Sequence, residues 1–286
     1  MTPSNHRLFR AAWWGANLLF SVSFLALLLA SGWEYSVRRY LDGFSDAIVP
    51  ASLPSEEKKA EALLAWMRAE PMRAVAEVAT VLPTRDPQFT LNYQQLLRAC
   101  GTATNAFLNL ARLSDLRVRR LLLLSPDGRA KHVVAEILIG GRWVVADPSY
   151  RTLLRDARGR LLTRNELQDP AIFRQAISQI PGYPPEYDYS RFAHVRLERL
   201  PFVGSGLRRL FDSIYPNWDE ALDWSLILER RSFAALLAAL LLTVSFFLLR
   251  QLLAWYADRR LRIPRFHVRR HLLRAGATFF TSPEIK

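Results

Sequence analysis

The 286-residue chain carries one cysteine, Cys100, and five histidines, of which only His132 and His194 lie between residues 33 and 231. A lone cysteine cannot close an intramolecular disulfide, so its thiol has either a packing role or a chemical one. Chemistry would require a base to take the thiol proton and a third group to orient that base. Cys100, His132 and Asp147 supply nucleophile, base and orienter in that order along the chain. Each has a plainer reading: Cys100 as an inert buried residue, His132 as a strand histidine paired across a sheet, and Asp147, before Pro148, as the start of a turn. His194 is read as structural. One cysteine and two histidines without ligand spacing do not build a zinc site, and neither phosphate loops nor serine-elbow motifs occur, so no metal or cofactor is expected.

The elements that must position these residues are legible in the periodicity. From Cys100 a helical period runs through Ala103, Phe107, Leu110 and Ala111, which places the thiol at or near a first turn. There the unpaired N–H groups and the positive end of the helix dipole favour thiolate. Val118–Leu124 reads as a strand closed by the turn Ser125-Pro126-Asp127-Gly128, and His132–Ile139 and Arg142–Asp147 as two strands joined by Gly140-Gly141. With those glycines as the loop, Ile139 faces Arg142, Leu138 faces Trp143, Glu136 faces Val145 and Val134 faces Asp147. Alternation then puts His132, Val134, Glu136 and Leu138 on the face shared with Asp147, Val145 and Trp143. His132 and Asp147 become diagonal neighbours with Cβ atoms roughly 7 to 8 Å apart, a gap that an imidazole and a carboxylate can close. A one-residue change in the loop would separate them. Glu136 projects onto the same face, as a supporting partner of the site or in a salt bridge to an arginine.

Around this core, Ser55 followed by Glu56 and Glu57 caps a helix whose apolar face is Ala60, Leu63, Leu64 and Met67, ended or bent by Pro71. Less regular sequence holding Pro83, Pro87 and Asn92 leads to Cys100. Beyond Tyr150, a hairpin about Asp156 to Gly159 and a capping box at Thr163-Arg164-Asn165-Glu166, opening a helix to about Ile177, precede a proline linker at Pro181, Pro184 and Pro185. Leu207–Ile214 and Trp218–Leu228 are amphipathic, suited either to an outer leaflet or to packing within the domain. A helix followed by consecutive antiparallel strands gives an α+β class.

Cys100-Gly101 opening a helix, His132-Val133-Val134-Ala135-Glu136-Ile137, Gly141-Arg142-Trp143 and Asp147-Pro148-Ser149 together resemble the core of the transglutaminase-like superfamily. The resemblance covers about Leu96 to Tyr150. It implies a papain-like core, a cysteine helix packed on an antiparallel sheet that carries the histidine and aspartate, with Cys100, His132 and Asp147 as the catalytic triad. Many members carry an aromatic residue directly after the cysteine and another two residues after the histidine, where this chain has Gly101 and Val134. Acidic loops of the calcium-dependent members are absent. In the implied mechanism Cys100 attacks an amide or ester carbonyl to form a thioester that water or an amine resolves. The backbone N–H of Cys100 and the side chains of Gln94 or Gln95 are the oxyanion candidates, and Glu136 and Trp143 are expected to support the site.

The chain is 50% hydrophobic, and its apolar residues concentrate near the ends. Ala11 to Gly32 is uncharged and long enough to cross a ~30 Å hydrocarbon core, with Trp13, Trp14, Trp33 and Tyr35 at its edges. A cleaved signal peptide is the alternative reading. Ser232 to Leu249, extended past Arg250 to Trp255, is a second candidate span, for which a buried core helix is the alternative. Basic tails outside both segments place the two termini in the cytoplasm by the positive-inside bias. The expected organisation is a cytoplasmic tail at 1–11, spans at 12–32 and 232–255, an extracytoplasmic (periplasmic) domain at 33–231 with its core at about 55–180, and a basic cytoplasmic tail at 256–286, in the inner (plasma) membrane. The net charge of +13 is densest beside the second span, which fits anionic lipid rather than nucleic acid.

These readings converge on a membrane-anchored cysteine enzyme acting on peptide or protein substrates of the cell envelope, as protease, amidase or cross-linking enzyme. The rival is an idle transglutaminase-like fold serving as a binding or assembly component of an envelope or exopolysaccharide complex.

Overall fold

The computed structural model describes residues 3–68, 91, 100–195, 204–216, 218–221 and 224–261. In chain order the helices are α1 (Pro3–Ile48), α2 (Glu56–Arg68), α3 (Cys100–Leu113), α4 (Pro170–Ile177), α5 (Gly204–Ile214), α6 (Trp218–Ala221), α7 (Trp224–Glu229) and α8 (Arg231–Tyr256). The strands are β1 (Val118–Leu124), β2 (Ala130–Ile139), β3 (Arg142–Asp147), β4 (Thr152–Leu153) and β5 (Phe192–Ala193). The fold is α+β, with helices and one antiparallel sheet in the order β4-β3-β2-β1-β5.

Residues 30–236 form one compact unit. Its sheet is covered on both faces because the strands alternate two apolar sets. Ala135, Ile137, Val144 and Ala146 pack with Leu63 and Leu64 of α2 and with Ala103, Phe107 and Leu110 of α3. Val134, Val145, Leu121 and Leu123 pack on the opposite face with Leu154, Leu162, Phe173, Tyr183 and Tyr189. The helix capped at Ser55 is present, its hydroxyl accepting from the Lys58 N–H at 3.2 Å, with Ala60, Leu63, Leu64 and Met67 buried. Gly140 and Gly141 turn the β2–β3 hairpin with φ of 56° and 79°, left-handed values that favour glycine in a two-residue loop. The register that follows pairs Ile139 with Arg142, Leu138 with Trp143 and Glu136 with Val145.

Two elements depart from the sequence reading. The first helix does not stop at Gly32 but continues to Ile48, since an interior glycine costs only about 1 kcal/mol and Val37 and Leu41 bury fully in the core beyond it. The Thr163–Glu166 capping box forms, with Thr163 N–H donating to Glu166 at 2.8 Å, but closes only a 3-10 turn at Glu166–Gln168. Pro170 holds Asp169 extended, and the Asp169 carboxylate caps the new helix α4. In the stretch read as an amphipathic run from Trp218, α6 and α7 bring Trp218 and Trp224 together with Phe211 of α5 and Val195 in a small third cluster.

Residues 1–29 and 237–286 form the second compact unit. In its described part Phe20 meets Phe247 at 6.1 Å, and Arg250 lies over the rings of Trp13 and Phe20. Arg7–Ile48 and Arg231–Leu261 are both long and apolar enough to cross a membrane. Their large side chains point outward, Leu18 at 65% and Leu25 at 58% exposure among them, unlike a helix packed into a protein core.

Candidate active site

The site is assembled where β3 parts from β2. Their pairing ends at Ala135 and Ala146, after which Asp147 turns to pair with Thr152 of β4. α3 occupies the edge of β2 just beyond that point. Its Thr104 hydroxyl donates to the Val133 carbonyl at 2.9 Å, and the Val133 N–H donates to the Cys100 sulfur. Both polar groups of the Val133 backbone are thus satisfied by the helix, which fixes the first turn of α3, and Cys100 with it, at the notch. On the other flank, β1 pairs Leu123 with His132 and then Leu124 with Ala130. The skipped residue, Lys131, makes a bulge immediately before His132, a device that re-aims the neighbouring side chain.

His132 is the hinge of the arrangement. Its Nε2 donates to the Asp147 Oδ2 at 2.7 Å, and Cys100 is the second polar group that acts on the ring, for which Nδ1 is the remaining nitrogen. Asp147 is fully buried and held in turn: its Oδ1 accepts from the Ser149 and Tyr150 N–H groups at 3.0 and 3.3 Å. Cys100, half-buried, thus interacts with a hydrogen-bonded His132–Asp147 pair, and the three side chains form one line of interacting groups.

Electrostatics favour charge separation along this line. Burial pushes the Cys100 thiol up, but the His132 hydrogen bond and charge, with the Val133 and Gly101 N–H groups, outweigh it and leave the thiol below its ordinary value. Burial likewise disfavours a charged His132, yet the bonds and charges of Asp147 and Cys100 raise its pKa to about 9. Thiolate and imidazolium stabilise each other, and the carboxylate stabilises the imidazolium.

The other site residues expected from sequence are placed as follows. Gln94 and Gln95 lie outside the described residues. Glu136 is on the His132 face of β2 but is engaged elsewhere, accepting from Arg119 Nε at 2.7 Å and His194 Nε2 at 2.8 Å. Burial pushes its carboxyl up, and those two cations and donors bring it below the usual range. Trp143 belongs to the same network, with the Arg119 guanidinium 4.3 Å over its ring. Both lie farther along the sheet, with Trp143 opposite Leu138 of β2. Among the described residues no group of three or more His, Cys, Asp or Glu could hold a metal ion.

Sequence reasoning missed a tyrosine cage. Tyr187 stacks on His132 with ring centroids 4.3 Å apart and planes 10° apart, and Tyr150 meets the same ring edge-on at 6.1 Å. Tyr183 and Tyr189 share a 2.9 Å hydroxyl contact beneath them. The signal was present in composition, since three of the nine tyrosines fall between residues 183 and 189, but the prolines there read as a linker. A cavity of ≈ 470 Å³ lined by Thr152, Arg155, Gln175 and Gln179 among others lies between β4 and α4 and is touched by none of Cys100, His132, Asp147 and Tyr187. Comparison of the chain with protein-family models, curated proteins and solved structures gives no match.

Proposed function

We propose that the chain is a membrane-anchored cysteine enzyme of the transglutaminase-like, papain-like type, which cleaves or transfers acyl groups at amide bonds. The observation that carries this reading is the 2.7 Å hydrogen bond between His132 and a buried, fully partnered Asp147, with the sole cysteine, at a helix N-terminus, acting on the same imidazole. A cysteine with only a packing role has no need of a base oriented by a carboxylate. In the reaction, the Cys100 sulfur, its proton held by His132, attacks the carbonyl carbon and forms the C–S bond. The oxyanion that develops is met by the backbone N–H of Cys100, with Gln94 or Gln95 as a further donor. The C–N bond breaks as the imidazolium returns its proton to the departing amine, leaving a thioester. Water or a second amine, deprotonated by His132, then attacks the thioester and releases the thiolate. Asp147 keeps the imidazole in the required tautomer throughout.

Two apolar helices and the basic flanks support the placement of this domain outside the cytoplasm, at the inner membrane with both termini inside. Peptides or proteins of the envelope are the corresponding substrates. One observation favours a second reading, a binding or assembly component of an envelope complex: His132 is only 3% exposed and its face is covered by Tyr187.

The test exploits the single cysteine. Purified full-length protein in detergent should be alkylated by iodoacetamide at Cys100 near neutral pH, and His132→Ala should slow that reaction by about tenfold or more, because an ordinary thiol is only a few per cent ionised there. Equal rates for the two proteins favour the assembly role.

A further inference from the structure

We infer that Tyr187 is a positioning residue for the His132 base, its ring clamping the imidazole between Cys100 and Asp147 and favouring the protonated ring; this rests on the enzymatic reading above. The hydrogen bond to Asp147 and the interaction with Cys100 orient the imidazole along one line but put nothing against its faces. Tyr187 supplies the face contact: 4.3 Å between centroids and 10° between planes is a parallel stack. An aromatic face presents negative quadrupole density, so the contact is stronger with imidazolium than with imidazole.

Tyr187 is itself held from several sides. Tyr183 meets its ring edge-on at 5.6 Å, and Tyr150, whose hydroxyl donates to the Gly182 carbonyl at 3.3 Å, is a further neighbour. The neighbouring Glu186 is tied to Lys131, whose ammonium lies 6.0 Å from the Tyr187 ring and 3.8 Å from the Glu186 carboxylate. Lys131 is the bulged residue next to His132. The bulge that aims the base thus also anchors the strap that covers it. The charged or titratable groups facing His132 are Cys100 from α3, Asp147 from β3, Tyr150 from the following turn and Tyr187 from the strap. Only Tyr187 lies parallel to its ring.

Ring and hydroxyl can be separated by substitution in the full-length protein in detergent, reading the pH profile of Cys100 alkylation and the His132 imidazole titration by NMR. Tyr187→Phe keeps the stack, and its rate should stay within about twofold of the parent with the titration unmoved. Tyr187→Leu removes the stack, and the His132 titration should fall by about one pH unit with a roughly tenfold slower alkylation at neutral pH. Should Tyr187→Leu not fold, Tyr187→Met, which keeps volume without a π face, should show the same shift. A leucine or methionine variant that matches the parent in both readouts overturns the inference. So does a phenylalanine variant as impaired as leucine, which places the effect in the hydroxyl. A parent protein whose thiol titrates at the ordinary value instead removes the enzymatic reading itself.

Discussion

At His132 the two ring nitrogens face partners that both favour the proton, and the pH behaviour of the site follows from this. The folded pKa, raised to about 9, lies above the ~6.5 of an unfolded chain. Its contribution to stability is therefore complete below the unfolded value and is lost as pH rises through about 9. The Cys100 shift runs in the opposite direction: a depressed thiol contributes above the unfolded value and loses that contribution as pH falls through the folded one. Between those limits the ion pair persists. Turnover of an amide substrate should accordingly rise at a pH below the ordinary thiol range and fall near pH 9, where the imidazolium that protonates the leaving amine disappears. Asp147→Asn keeps the shape but removes the charge, and should draw the falling limb down by about 1 to 3 pH units. A pH–rate profile of the variant that overlays the parent would deny Asp147 its role.

At the scale of elements, the hairpin turn decides whether the histidine and aspartate can meet. Gly140 and Gly141 hold positive φ with open space around them, so a side chain there meets no atoms but must accept a left-handed backbone. Gly141→Val should cost about 1 to 2 kcal/mol on this ground alone, readable as a lowered midpoint in denaturant unfolding. The loop is also tied to α2, since the Gly140 N–H donates to Glu56 at 3.0 Å. Because a one-residue slip would carry Asp147 to the other face of β3, the same variant should lose Cys100 alkylation rate as well as stability. Stability lost with the neutral-pH rate unchanged would mean that the turn serves folding and leaves the site's register to the surrounding core. The second element with a direct hand in the site is α3, whose first turn is seated on the Val133 backbone by Thr104 and Cys100.

The whole molecule divides into residues 30–236 and a unit built from residues 1–29 and 237–286. In the second unit, the apolar helix surfaces are left exposed, with Leu29 at 68% and Leu252 at 63%, as lipid-facing side chains would be. The proposed orientation puts the basic tails in the cytoplasm and the catalytic unit across the membrane from them. A reporter active only outside the cytoplasm should give signal when fused near Gly159 and none when fused at Lys286. Signal at Lys286 alone would invert the topology and place Cys100 among cytoplasmic partners.

Local chemistry determined much of this protein. Period-2 and period-3.6 patterns, the Ser55 cap and the double glycine were enough to specify α2, α3, the β1–β3 meander and its register, because each depends on neighbours within a few residues. That register put His132 and Asp147 on one face, while the end of β2–β3 pairing at Ala135 and Ala146 and the bulge at Lys131 set how they meet. What only the tertiary structure decided are contacts between segments far apart in the chain. Nothing local to Val37 and Leu41 announces that they bury in the core of the folded unit and so continue the first helix past Gly32. Nothing local to Glu136 names Arg119 and His194 as its partners. The tyrosines of residues 183–189 looked like a proline linker because their meaning lies in a ring more than fifty residues earlier. A stacking contact leaves no periodicity in the sequence, since it is fixed by the path of the strap over the sheet and not by the spacing of the residues within it.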